Sequence, residues 1–423
     1  MTDSIAGLHG HVLAVWAISL LTIACVLIRP KGISEAWWSV AGALLLVVLG
    51  LVTPVSAAHA VAKGIDVYLF LTGMMIVAEL ARREGVFDWI AVYAVKAANG
   101  SRARLFSLIY LVGTAVTILL SNDATAVVLT PAVQAAVKAA HAEPLPYLLI
   151  CAFIANASSF VLPISNPANL VVYNGAMPPL GRWLLTFGLP SLLAIVATYF
   201  VLRLLSHQLL QGAMENNLQK KNLTLPGKLT LGGIGFLAVV LMTASAFGEP
   251  LGAPACIAAV VVATAIVLID RKALPDITRE IAWSVIPLVA GLFVVIEAIN
   301  GAGAQDLVVA ALQDMKSWPP AAAALSSGFG LAIASNLMNN LPSGLISGNA
   351  VRVAHATGVL RDSVLIGVDL GPNLSVTGSL ATILWLIAIR REGQSVGFWT
   401  FLRYGVCVMP PALALAVLAL LVR

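Results

Sequence analysis

Leu119-Leu120-Ser121-Asn122-Asp123-Ala124-Thr125 decides how this chain is to be read. It lies in the middle of the apolar run from Leu105 to Ala140. Hydrocarbon offers no hydrogen bonds, so polar, irregular backbone at that depth is tolerated only where it is buried in protein or lines a cavity. An acid there is a functional-site hypothesis by default. A second stretch, Asn339-Asn340-Leu341-Pro342-Ser343, interrupts the run from Ala321 to Ala350 in the same manner. The two are read as facing walls of one transport site.

Composition supports a bilayer setting. Of 423 residues, 60% are hydrophobic and only 10% charged, against roughly 25% charged in soluble domains. The net charge of +5 is scattered through loops between apolar runs, where it reads as a topology signal rather than a nucleic-acid surface. Cys25, Cys151, Cys256 and Cys407 are isolated in apolar stretches, which indicates neither a disulfide framework nor a thiolate metal site. The six histidines form no i,i+4 pair. No GxxxxGK[ST] motif occurs, so no nucleotide-driven step is expected of this chain. No cofactor is expected, and transport is favoured over enzymology.

A span needs about 20 apolar residues. His11 to Ile28, Trp37 to Thr53 and Ile65 to Ala81 qualify. Met1 to Gly10 lacks a basic signal-peptide region, so the first run reads as a retained span. Val86 to Ala98 is too short to cross and reads as an interfacial helix. Leu145 to Leu162 runs into Pro163-Ile164-Ser165-Asn166-Pro167-Ala168-Asn169, where two prolines interrupt a span. Trp183 to Leu205 closes the first half. Spans follow at Leu229–Ala246, Leu251–Ile269, Ala282–Ile299 and Trp399–Val422, and Ser363 to Ala388 is broken at Gly371-Pro372-Asn373 and Thr377-Gly378-Ser379. The expectation is an all-α membrane protein of about ten transmembrane helices plus two re-entrant hairpins.

The halves repeat. Offset by 218 residues, Gly73 falls on Gly291, Glu79 on Glu297, Gly85 on Gly303, Asp88 on Asp306, Asn122 on Asn340 and Thr125 on Ser343. An offset of 213 lays Ser165–Asn169 over Gly378–Thr382. The polar connector His207–Lys228, with Glu215-Asn216-Asn217 and Lys220-Lys221, divides a first repeat (1–206) from a second (229–423). If both breaks are hairpins, each half has five true spans, and the second is inverted. Placing both termini in the periplasm of a bacterial inner membrane puts about 18 of the 24 lysines and arginines on the cytoplasmic side.

Inverted repeats with broken helices are the architecture of many secondary transporters, with the site at their interface. Four polar breaks are therefore expected to converge. Asn122, Thr125, Ser165, Asn166 and Asn169 form one half of the substrate site. Asn339, Asn340, Ser343, Asn373, Thr377 and Ser379 form the other. Their amides and hydroxyls offer both donors and acceptors, although small polar residues also serve plain helix packing. Asp123 is the carboxylate expected to take up and release a coupled proton, with Asp369 as a second. Glu79 and Glu297 stand near span ends and are expected to be structural or interfacial.

Phe70-Leu71-Thr72-Gly73-Met74-Met75, Leu120-Ser121-Asn122-Asp123, Ile164-Ser165-Asn166 and Gly371-Pro372-Asn373-Leu374 through Gly378-Ser379-Leu380-Ala381-Thr382 resemble the arsenite efflux permeases (ArsB type) of the ion transporter superfamily. The resemblance covers nearly the whole chain. It implies export of arsenite and antimonite in exchange for protons, and in some organisms pairing with a cytoplasmic arsenite-stimulated ATPase. Ser-Asn-Asp and Asn-Asn-Leu stand where the dicarboxylate branch carries Ser-Asn-Thr. A sodium/proton antiporter of the same superfamily is the alternative. Arsenous acid is neutral at pH 7, and amides, hydroxyls and helix ends suit its three hydroxyls.

Overall fold

The structure is a computed structural model describing the backbone of residues 2–422 except 174–176, 216–221 and 392, and side chains from Gly10 onward. Part of the His207–Lys228 connector, including Asn216, Asn217, Lys220 and Lys221, thus lies outside the described residues. Eight described helices are long and apolar enough to cross a bilayer, or nine if the bent pair Pro54–Lys63 and Ile65–Arg83 makes one span.

The first half runs α1 (Thr2–Ile28), α2 (Glu35–Val48), α3 (Pro54–Lys63), α4 (Ile65–Arg83), α5 (Val86–Ala97) and α6 (Arg102–Leu119). The first break follows, then α7 (Asn122–Ala124), a π turn (Thr125–Leu129) and α8 (Thr130–Ala139). Next come α9 (Leu145–Ala157), the second break, α10 (Pro167–Tyr173) and α11 (Leu180–Leu205). The second half repeats this order: α12 (Leu225–Phe247), α13 (Gly252–Ile269), α14 (Ala273–Glu280), α15 (Val285–Gly301), α16 (Ala304–Met315), α17 (Pro320–Met338), α18 (Asn340–Val353), α19 (Gly358–Leu370), α20 (Leu380–Arg391) and α21 (Phe398–Ala419). α5 and α16 match at both ends with the 218 offset, and α9 and α19 with the 213 offset. Gly85 and Gly303, paired by the repeat, open α5 and α16 at φ 69° and 94°, where a side chain would strain the backbone.

The halves interlock. α4 packs on α13, and its repeat partner α15 packs on α2. Glycine permits both approaches. A Cβ at Gly73 would stand 2.6 Å from the Ala255 carbonyl, and one at Gly291 would stand 2.8 Å from the Ser39 carbonyl carbon. With no hydrophobic force between helices in lipid, such small residues let backbones close up and gain dispersion. α10 lies against α18, and α20 against the π turn and α8. Each interrupted helix therefore packs on the hairpin of the other half.

Polar ties sort to two ends of the bundle. At one end Arg83 binds Asp270 at 2.6 Å and Asp276 at 3.1 Å, and Arg102 donates to the Gln211 carbonyl. At the other, Lys63 binds Glu297 at 3.1 Å, and Asp66 accepts from the Gly252 amide at 2.7 Å.

Candidate functional site

The hairpins turn on two residues paired by the 218 offset. Ser121 adopts φ 145° and Asn339 φ 79°, conformations that cost a non-glycine residue energy and persist only where surroundings enforce them. Each side chain then caps the helix it opens. Ser121 Oγ accepts from the Ala124 amide at 3.4 Å, and Asn339 Oδ1 from the Leu341 amide at 3.3 Å. The second hairpin is also tied to the break of its own half, since the Asn340 amide donates to the Gly378 carbonyl at 2.9 Å.

A small cavity of about 10 Å³, room for about one water, lies where these pieces meet. Asn122, Asp123, Asn166 and Asn340 supply its polar lining, and Pro167 and Leu380, the first residues of α10 and α20, complete its edge. Asn122 Oδ1 accepts from the Asp123 amide at 2.9 Å. Among the described residues, no hydrogen bond or ion pair reaches the Asp123 carboxylate, and no lysine or arginine lines the cavity. The cavity is thus built from neutral amides and one acid.

The other sequence-predicted residues stand behind this lining. Thr125 Oγ1 bonds Thr117 Oγ1 across the first hairpin at 2.8 Å. Ser165 Oγ donates to the Ile118 carbonyl at 3.2 Å. Asn169 gives its amide to the Ser159 carbonyl at 2.9 Å. Thr377 Oγ1 donates to the Asn336 carbonyl at 2.9 Å. Asn373 and Ser379 are fully buried and bonded to Asn156. Ser343 Oγ is buried without a partner and lines a separate apolar crevice with Trp16 and Met315.

A family described as citrate transporter (CitMHS) matches residues 14–368. The chain belongs to this family. The CitMHS member is similar to the arsenical pump membrane protein of Escherichia coli K12, at 28% identity over 96% of this chain and 98% of the relative. The arsenical pump membrane protein of Yersinia enterocolitica is 26% identical over the same shares. Among solved structures, the Alcanivorax borkumensis YdaH transporter, described as having an unusual topology, covers 97% of this chain and 98% of its own. Its TM-score is 0.58 at 12% identity, a likeness of fold. The CitMHS member is accordingly a multi-pass helical membrane transporter.

Two residues hold the breaks of this CitMHS member together, and they are equivalent. The 213 offset places Asn156, at the end of α9, on Asp369, at the end of α19. Asn156 Nδ2 donates to Asn373 Oδ1 at 3.0 Å, and its Oδ1 accepts from Ser379 Oγ at 3.3 Å. Asp369 Oδ1 accepts from Asn166 Nδ2 at 2.9 Å. Asn166 and Ser379 are themselves paired by that offset, so each half braces the break of the other through one contact drawn twice. Sequence reading missed Asn156, which sits alone in an apolar helix. The available signal was its register with Asp369.

Proposed function

We propose that this protein exports arsenite and antimonite from the cytoplasm in exchange for protons. The substrate sits against Asn122, Asn166 and Asn340, and Asp123 carries the coupled proton. The supporting observation is the cavity itself, in which amides from both halves surround a carboxylate that no cation neutralises. Amides donate to and accept from the hydroxyls of a neutral oxyacid. The N-terminal ends of α18 and α20 add oriented backbone amides.

The family description raises citrate as a substrate. Unit like charges at about 4 Å repel by about 4 kcal/mol at an effective dielectric near 20. A tricarboxylate beside Asp123 would meet that cost with no basic residue to offset it. The full-length likeness to arsenical pump membrane proteins favours the metalloid over both citrate and a sodium/proton exchange. Asp369, Thr125, Ser165, Asn169, Asn339, Asn373, Thr377 and Ser379 serve this reading as the frame that holds the three amides in place, and Ser343, which faces the separate crevice, stands outside it. We place the protein in a bacterial inner membrane with both termini periplasmic, and take residues 1–206 and 229–423 as its repeats.

The test is arsenite accumulation in everted membrane vesicles with an imposed pH gradient. Accumulation that collapses with the gradient is the expected result. Uptake indifferent to the gradient removes the proton, and absence of uptake removes the substrate.

A further inference from the structure

We propose that a second cavity beside the site is its entrance from the Arg82 face, and that this entrance admits neutral or cationic solutes and turns carboxylates away. The inference rests on the reading of Asp123 as the floor of the site.

The second cavity, about 100 Å³, shares Leu71, Asp123, Pro167, Val285 and Leu380 with the smaller one. From Asp123 it runs between apolar walls that include Met74, Val127 and Leu384. It ends at Glu79 and Glu280. Glu280 is more than half exposed, so this end meets solvent. Arg82 joins the two lips. Its guanidinium donates to both Glu79 carboxylate oxygens, at 2.8 and 2.6 Å, and stands 3.7 Å from Glu280.

The charged residues lining this space are Glu79, Asp123 and Glu280, all acids. Arg82 is bound to the lips and stands outside the lining, and Arg83 beside it is taken by Glu84, Asp270 and Asp276. An anion entering meets a carboxylate at each end and an apolar passage that cannot solvate it. A neutral hydroxide escapes the repulsion and pays a smaller desolvation cost than an anion does. The corresponding space beside Leu341 is smaller, about 10 Å³, and its acid, Glu35, is held by Arg29 as Glu79 is by Arg82. Glu297, the partner of Glu79, binds Lys63 at the opposite end of the bundle.

The test uses the full chain with Cys25, Cys151, Cys256 and Cys407 replaced and Val127→Cys introduced. Everted vesicles are treated with impermeant methanethiosulfonates of matched size, one a quaternary ammonium and one a sulfonate, with rates normalised to a free thiol. The cationic reagent is expected to react about tenfold faster, and Glu280→Gln to cut that preference about threefold. Leu384→Cys, on the facing wall, repeats the measurement should Val127→Cys fail to fold. Equal rates or faster reaction with the sulfonate would overturn the charge selection. Labelling confined to right-side-out vesicles, or none on either side, would overturn the entrance. Because thiol labelling needs no flux, a chain that labels as expected but fails to move arsenite leaves the entrance standing and removes only the substrate.

Discussion

The two hairpins share a turn and differ in chemistry. Ser121 and Asn339 bend the chain at the same repeat position, both with positive φ and both capping the helix that follows. Asn122 and Asn340 come next and reach one cavity. One residue on, the first hairpin has Asp123 and the second Leu341. The interrupted helices reverse the assignment, with Asn156 in the first half and Asp369 in the second. The frame occurs twice, and each half has one acid at a place where its partner has none. A symmetric frame can present its pocket to either side of a membrane. On the proposed reading, the acid of the first hairpin is what gives the coupled proton its place.

The sharpest way to break this comparison is to exchange the acid. Asp123→Asn keeps shape and hydrogen-bonding capacity but loses the exchangeable proton. Gradient-driven arsenite export should fall about 100-fold or more, the scale on which removing a proton-transferring group acts. Leu341→Asp in that background restores an acid to the cavity from the other hairpin. Recovery of coupled export would show that the cavity needs one carboxylate from either side. Continued failure would tie coupling to the first hairpin alone. Unchanged export in Asp123→Asn would remove the proton role.

The next effect tests the frame rather than the acid. Gly73→Val and Gly291→Val each drive a side chain into a backbone on a neighbouring helix. Overpacking of this kind costs about 1–3 kcal/mol. Both variants should melt several degrees lower in detergent, and by similar amounts, because α4 on α13 and α15 on α2 are one contact drawn twice. A large inequality between them would mean that the scaffold halves are less equivalent than their helix boundaries.

How far this was legible in the sequence depends on what each residue type announces. Polar residues inside long apolar runs stand out, so both hairpins and both interrupted helices could be placed, and the 218 offset followed from glycines and acids in one register. The π turn at Thr125–Leu129 has no comparable signature. Nor does Asn156 announce itself, since one amide in an apolar helix looks like a tolerated polar residue. Which side chains face the cavity was also hidden. Asn122, Asn166 and Asn340 line it while Thr125 and Asn169 turn into the protein, and only the rotation of each short helix decides that.

Asn156 and Asp369 offer a smaller, more selective test. Asn156→Leu leaves Asn373 and Ser379 buried with a lost partner, a cost of about 1–3 kcal/mol, read as a lower melting temperature. Asp369→Asn still accepts from Asn166 through its side-chain oxygen, so stability should stay within about 1 kcal/mol. If Asp369 also exchanges a proton, the pH profile of export should flatten in Asp369→Asn. If the pair is purely a brace, the profile should keep its form in both variants.

The smallest expected effect concerns the charged ends. The Arg83 guanidinium beside Asp270 holds that carboxyl below its usual value of 3.8, with the Lys272 amide adding to the effect. A carboxyl lowered in the folded state contributes stability above pH 3.8, and that contribution fades as pH falls through the lowered value. Asp270→Asn should therefore melt slightly below the parent at pH 7, with the gap closing as pH drops beneath about 3.8 and shrinking in high salt. Glu297→Gln, which loses only the half-exposed pair with Lys63, should shift melting less than Asp270→Asn. Arg83 binds three acids and locks α4 to α13 and α14, whereas Lys63 binds one. A larger shift from Glu297→Gln would place the stiffer end of the bundle opposite the Arg82 entrance and reverse the assignment of which end is braced by charge.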